Sequence, residues 1–366
     1  MVFDDVLEIR NGRNQKAVEN PDGKYPIYGS GGIIGRADDY ICDAETVVIG
    51  RKGNINKPIF VEEPFWNVDT AFGLEANKTV LLPRYLYYFC VNYDFEKHNK
   101  TVTIPSLTKA DLLKIQINLP SLVEQKDIVD KLQLAEKIIY RRRQELDTFD
   151  RLIKARFVEM FGDPVTNPMG WPTPLIEDTV ADERNALKAG PFGSALKKEY
   201  YVKSGYKIYG QEQVISGDPS YGDYYIDEER YKSLENCAVQ AGDVLISLVG
   251  TYGRLLIIPE KFEPGIINPR LMKITFDKKK VNPLYFQYFF QSDSLKKALS
   301  ENTHGGTMDI LNLGIVRKLT IPLPPLSLQN EFVDFTCQVD KSKSVVKKSL
   351  DETQLLFDSL MQKYFG

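Results

Sequence analysis

The sequence predicts an α+β protein: two mixed α/β globular units separated by two long antiparallel, coiled-coil-like helices, with a pseudo-two-fold tandem duplication. Three observations carry this. First, residues 120–162 return as residues 324–366: Pro120 matches Pro324, Gln125 matches Gln329, Val129 and Asp130 match Val333 and Asp334, and Phe161 and Gly162 match Phe365 and Gly366, all at an offset of 204. A constant offset over such a length marks an internal repeat. Second, both copies carry apolar residues at alternating steps of four and three, the mark of one helical seam. Third, the segments before each helix share landmarks in the same order. YPIYG at 25–29 recurs as YKIYG at 206–210, VVIGRKGNINK at 47–57 aligns with VLISLVGTYGR at 244–254, and LPRYLYYF at 82–89 aligns with NPLYFQYF at 282–289. The offset drifts from 181 through 197 and 200 to 204, so the second unit carries its length changes early.

Residues 1–119 form the first predicted unit, with strand-like runs at 46–50 and 114–119 between Gly, Asn and Pro turns. Pro21-Asp22-Gly23 reads as one such turn. The first long helix occupies 120–162. Its seam is Ile128, Leu132, Ala135, Ile139, Leu146, Phe149, Ile153 and Met160, with Arg142 at a polar place in the series. Ser121 and Glu124 form a capping box, and Gly162-Asp163-Pro164 ends the helix. The second unit spans 163–323. The second helix spans 324–366, opened by Pro324-Pro325, with a seam of Phe332, Val339, Val346, Leu350, Phe357 and Tyr364 interrupted by Thr336, Lys343 and Thr353. At about 1.5 Å per residue each helix is about 60 Å long. Connectivity then predicts a spacer with one unit at each end and the chain termini close together.

Composition limits function. A net charge of −3 argues against tight nonspecific nucleic-acid binding by the chain alone, while leaving local basic faces open. Four scattered cysteines, Cys42, Cys90, Cys237 and Cys337, read as reduced thiols. No signal peptide and no membrane-spanning apolar run is evident, so a cytoplasmic protein is expected. The two histidines, His98 and His304, have no nucleophile or carboxylate at working spacing, and no GxxxxGK[ST] loop exists. No catalytic residue and no metal site are expected.

Polar and basic turns instead stand at matching places. The loop after the strand at 46–50 offers Arg51, Lys52, Asn54, Asn56 and Lys57, and its counterpart offers Thr251, Tyr252 and Arg254. Arg and Lys suit guanine edges and phosphates, and Asn suits adenine. Lys52 and Asn54 are expected on bases, Lys57 and Arg254 on phosphates. Lys188, Ser194 and Lys197 around GPFGS, and Gln211 and Gln213 after YKIYG, are further DNA-binding candidates in the second unit. The run Arg141-Arg142-Arg143 reads as a solvated helix face.

VVIGRKGNINKP followed by EEPFWNVDTAF, then TIPSLT and INLPSLVEQ before the first helix, MFGDPVTNP after it, and GPFGSALKK, GDVLISLVGTYGR, GIINPRL and IPLPPLSLQ in the second half stand in this order along the chain. Over essentially its whole length the chain resembles the DNA specificity (S) subunits of Type I restriction–modification systems. The resemblance implies two target-recognition domains (1–119 and 163–323), each reading half of a split double-stranded DNA target. It also implies two conserved helical spacers (120–162 and 324–366) that bind two methyltransferase (M) subunits, with restriction (R) subunits in the full complex and no membrane. It implies no cofactor in this chain, with S-adenosylmethionine, ATP and Mg expected on partner subunits. The competing reading is a coiled-coil protein-interaction scaffold without sequence-specific DNA binding. A hydrolytic enzyme with repeated β-rich domains fails for want of a matched carboxylate pair.

Overall fold

The computed structural model describes residues 1–99, 101, 103–248, 254–301 and 311–366, with backbone only at 193 and 194. The chain divides into two compact units: Met1–Glu145 with Val345–Gly366, and Leu146–Ser344. Each unit therefore contains a stretch of both long helices, Leu122–Phe161 and Leu326–Phe365.

Among the described residues of unit one, seven strands form two sheets. They are β1 (Leu7–Asn11), β2 (Tyr25–Gly29), β3 (Gly32–Ala37), β4 (Thr46–Gly50), β5 (Ile59–Val61), β6 (Trp66–Asn67) and β7 (Ala71–Ala76). An antiparallel sheet runs β1-β7-β4-β5, and a smaller one runs β3-β2-β6, with β2 antiparallel to β3 and parallel to β6. Unit two repeats this strand for strand. Its elements are β8 (Leu187–Ala189), β9 (Tyr206–Tyr209), β10 (Tyr225–Ile226), β11 (Val244–Ser247), β12 (Leu255–Ile257), β13 (Gly265–Ile267) and β14 (Leu271–Ile274). The antiparallel sheet runs β8-β14-β11-β12, and the smaller sheet runs β10-β9-β13 with β9 parallel to β13.

Strand β4, TVVIG, is buried along its whole length because the sheet is covered on both faces. Val47 and Ile49 face a core with Phe72, Leu74, Tyr85, Leu86, Ile128 and Leu132, while Val48 packs with Cys42, Val61 and Phe65. In β11 the alternation repeats: Val244 and Ile246 meet Phe286, Phe289, Phe157 and Phe332, and Leu245 meets Ile208, Tyr209 and Ile266. Period-two side-chain geometry thus sends one apolar set toward the helices and the other toward the small sheet.

The segment 114–119 departs from expectation. It is not a ladder strand; an isolated bridge joins Val2 to Gln116, and Phe3 N and Ile117 N exchange backbone hydrogen bonds with Ile115 O and Met1 O, both at 2.9 Å. Its buried isoleucines, Ile115 and Ile117, serve the core. Periodicity alone does not separate such a tie from a strand.

The helices are joined to their units by the same contacts twice. Buried Gln125 accepts from Leu82 N at 2.8 Å and donates to Val80 O (2.8 Å) and Pro120 O (2.9 Å). Buried Gln329 accepts from Asn282 N at 2.8 Å and donates to Lys280 O and Pro324 O, both at 2.9 Å. Tyr85 donates to Asn118 O at 3.1 Å and Tyr285 to Pro322 O at 2.6 Å. Burial pushes the Tyr85 phenol up to about 12 and raises Tyr285 too, so both remain donors. Aromatic ends follow the pattern: Phe365 lies 5.0 Å from Tyr85 in unit one, and Phe161 lies 4.8 Å from Tyr285 in unit two.

Within each unit the two helical stretches run antiparallel. In unit one Arg143 Nη2 approaches Gln354 Oε1 at 3.4 Å, and Lys131 lies near Tyr364. In unit two Asp150 pairs with Lys343 (2.5 Å) and Arg156 with Glu331 (3.2 Å). The polar breaks in the second seam are satisfied locally: Thr336 and Thr353 donate to Val333 O and Ser349 O, both at 2.7 Å, while Lys343 reaches Asp150. The capping box forms as expected, with Ser121 N donating to Glu124 Oε2 at 2.9 Å and Glu124 N to Ser121 Oγ at 3.3 Å. Gly162, at φ +77, ends the first helix.

Candidate nucleic-acid interface

In unit one the turn after β4 is fixed by its backbone. Gly50 lets the chain fold back: a Cβ there would stand 2.4 Å from Asn54 O. Arg51 N and Lys52 N both donate to Thr70 O, at 2.8 and 3.2 Å, Arg51 O accepts from Leu107 N at 2.9 Å, and Gly53 N donates to Pro105 O at 3.0 Å. Ile55 is buried as an anchor. Asn56 closes the loop, donating to Asp94 Oδ1 at 3.0 Å and accepting from Phe95 N at 2.7 Å. Its amide is therefore committed within the protein.

What this frame presents are Lys52, Asn54 and Lys57. All three are exposed and, among the described residues, make no side-chain hydrogen bond or ion pair. Arg51 lies over the Phe72 ring at 5.7 Å and points one guanidinium nitrogen at Asp69 O, 3.5 Å away. The β2–β3 hairpin tip adjoins the loop. Asn54 Nδ2 would lie 3.5 Å from a Cβ at Gly31, and exposed Ile33 and Ile34 follow that tip.

In unit two the corresponding backbone position is occupied by Leu248, whose N donates to Arg270 O at 2.9 Å and whose O accepts from Leu311 N at 3.1 Å. Leu248 thus stands where Arg51 stands, as the offset of 197 requires. Thr251 and Tyr252 lie outside the described residues, as does His304. Arg254 is exposed and donates to Ile215 O at 3.1 Å. The early length change is a structural one: the tight Ser30-Gly31 turn between β2 and β3 of unit one is replaced, between β9 and β10, by a short helix, Gln211–Ser216, and a loop bearing exposed Tyr221 and Tyr224. Fully buried Lys207 holds that loop, donating to Ser220 O (2.9 Å), Gly222 O (3.0 Å) and Glu263 Oε1 (2.8 Å).

This insertion forms one wall of a cleft of about 770 Å³ that also includes Lys198, Tyr201, Asn268 and Arg270. Gln211 is in it, donating to Ser247 Oγ at 2.9 Å and accepting from Arg270 Nη1 at 3.3 Å. Gln213 also lines the cleft but is 1% exposed, accepts from Gly210 N at 2.8 Å and donates to Tyr221 O at 2.5 Å, so both ends of its amide are bonded within the protein. Lys188, half-buried on the edge strand β8 opposite Lys273, does not line the cleft. Lys197 is exposed beside it, and the side chain of Ser194 lies outside the described residues. Phe192 is 85% exposed. Sequence reasoning passed over Arg270, although Asn-Pro-Arg directly after a strand was a usable turn signal.

His98 is satisfied structurally, its Nε2 2.7 Å from Tyr93 OH. Among the described residues no cluster of three or more His, Cys, Asp or Glu is placed to hold a metal ion, and no helix is long and apolar enough to cross a membrane. Cys42, Cys90 and Cys237 are buried free thiols whose pKa burial raises.

The chain matches the family model of the Type I restriction modification DNA specificity domain over residues 2–148 and 192–353. It is 22% identical over 373 residues to the EcoBI specificity subunit of Escherichia coli, covering 94% of this chain and 77% of that one. It is 20% identical over 323 residues to the MjaVIII specificity subunit of Methanocaldococcus jannaschii, covering 85% and 73%. Its fold is similar to the crystal structure of a Type I S subunit from M. genitalium, with a TM-score of 0.61 at 15% identity, covering 100% of this chain and 95% of that one. A chain from a structure on assembly and conformational transition of the Type I system gives a TM-score of 0.64 at 16% identity, covering 100% and 96%. With both repeats matched, the chain belongs to the family of Type I restriction–modification DNA specificity subunits and is a DNA sequence-recognition subunit.

Proposed function

We propose that this chain reads a split double-stranded DNA target, one half-site per unit, and directs two methyltransferase subunits and, in the full complex, restriction subunits to it. One observation carries the reading. Two units with the same strand order and the same helix junctions differ in sequence after β4 and β11 and in structure between the strands of the small sheet. A common scaffold with divergent polar loops is what two independent readers of different sequences require.

In unit one Lys52 and Asn54 meet base edges, while Arg51 and Lys57 meet phosphates. In unit two Lys197, Gln211 and Arg254 contribute, with Thr251 and Tyr252 on the loop aligned to 54–55. The chain supplies binding and positioning; methyl transfer from S-adenosylmethionine and ATP- and Mg-dependent cleavage belong to the partner subunits. The scaffold alternative is not favoured, because a scaffold has no need of a loop whose backbone is pinned so that Lys52, Asn54 and Lys57 are held exposed without a side-chain partner among the described residues.

The test is sequencing that detects modified adenines in cells carrying the chain with its methyltransferase partner. One bipartite motif, absent without this chain, is expected. Methylation without sequence preference, or unaffected by removing the chain, overturns the reading.

A further inference from the structure

The cleft of unit two has features that an ordinary surface groove lacks. Arg270 is exposed, yet its backbone and side chain are both held. Asn268 Oδ1 accepts from Arg270 N at 2.9 Å, forming an Asx turn, and Pro269 between them restricts φ. Gly190 permits that turn to press against the neighbouring chain, since a Cβ there would stand 1.9 Å from Asn268 O. At its far end the guanidinium donates to Gln211 Oε1 at 3.3 Å, and Gln211 is itself tied to Ser247 Oγ. Among the described residues no carboxylate pairs with Arg270.

An exposed arginine ordinarily loses much rotamer freedom on binding; one already held loses less. A neutral amide orients this one without cancelling its charge. The remaining guanidinium N–H groups are available as a fork, and the acceptor pair O6 and N7 on a guanine edge matches that fork. Glu212 lines the same cleft. A carboxylate there disfavours a phosphate and suits the amino group of cytosine. Lys198 supplies a cation beside the site for the backbone.

We infer that this cleft is the base-reading site of unit two and that Arg270, positioned by Gln211 and the Asn268-Pro269 turn, reads a guanine in that unit's half-site. The inference rests on the DNA-recognition reading above. It also implies that the units read by different devices, since the position aligned with Arg270 in unit one is Thr70, whose carbonyl serves the Arg51–Lys52 turn.

The test uses the chain assembled with its methyltransferase subunits. The methylated motif is mapped for the native complex, for Arg270→Ala and for Arg270→Lys, and binding is measured across salt concentrations. Expected for Arg270→Ala is a loss of discrimination at one G·C position of one half-site of about 5- to 150-fold, with the other half-site unchanged and the salt slope retained. Arg270→Lys keeps the charge but not the fork, and is expected to leave discrimination at that position impaired. An unchanged motif in both variants overturns the inference, as does a uniform loss across all sequences with a shallower salt slope, the mark of a phosphate contact. Should Arg270→Ala fail to assemble, Arg270→Lys decides: relaxed discrimination supports the assignment and intact discrimination overturns it. A native complex that methylates without sequence preference defeats the DNA-recognition reading as well, whereas native preference retained by both variants defeats only the role of Arg270.

Discussion

Asn54 and Asn56 stand two residues apart in one loop and are used in opposite ways. Asn56 spends both ends of its amide on Asp94 and Phe95 N, so Asn56→Ala should cost about 1–3 kcal/mol of stability and leave the methylated motif intact. Denaturant unfolding together with motif mapping checks this. Asn54 is exposed and, among the described residues, makes no side-chain hydrogen bond. Asn54→Ala should leave stability within about 0.5 kcal/mol and relax one base position. A change in the opposite half-site would place the readout elsewhere. Gln211 and Gln213 repeat the lesson: both line the cleft, but Gln213 is buried with its amide bonded to Gly210 N and Tyr221 O. Both pairs look alike in sequence, because an amide side chain carries no mark of which partners the fold will bring it. Lys207 is a further case: a lysine in a strand of YKIYG is unremarkable until the fold buries it among two carbonyls and Glu263. Lys207→Met should loosen the loop carrying Tyr221 and Tyr224, raising hydrogen exchange there and weakening only the half-site read by unit two.

At the scale of elements, the long helices owe their place to a few repeated polar contacts as much as to their seams. Gln125 and Gln329 each satisfy the chain just ahead of a short helix, Pro83–Asn92 or Pro283–Phe290, and the carbonyl of the proline that precedes their own helix. Gln125→Leu leaves one N–H and two carbonyls unpaired in the interior, an expected cost of about 2–4 kcal/mol. Gln329→Leu should cost a similar amount in the other unit. Calorimetry that showed no shift for either would mean that water replaces the amide. The seams, the capping box and the glycine stop were all legible in residue spacing and type. The packing of Phe157 and Phe161 against Tyr285 was not, because those residues lie off the seam and their partner is more than a hundred residues away. Thr336, Lys343 and Thr353 looked like flaws in the second seam. Back-bonding hydroxyls and the Asp150 partner show them to be satisfied.

For the whole molecule, duplication predicts modularity. Exchanging residues 163–323 for the equivalent segment of a relative should change one half of the methylated motif and leave the other alone; a simultaneous change in both halves would refute independent readout. The repeat itself, its order of landmarks and its family membership were determined by the sequence, because a constant offset and a periodic seam are properties of the chain that no folding step is needed to reveal. The tertiary structure alone decided which polar residues are offered to a ligand. Asn56 bonded to Asp94 and Phe95 N, Gln213 was buried, Arg270 emerged beside Gln211, and a hairpin in one unit became a helix-lined cleft in the other. The physical reason is that exposure and hydrogen-bond commitment depend on groups distant in sequence. Periodicity reports only which face of an element is apolar, and says nothing of what waits opposite its polar side chains.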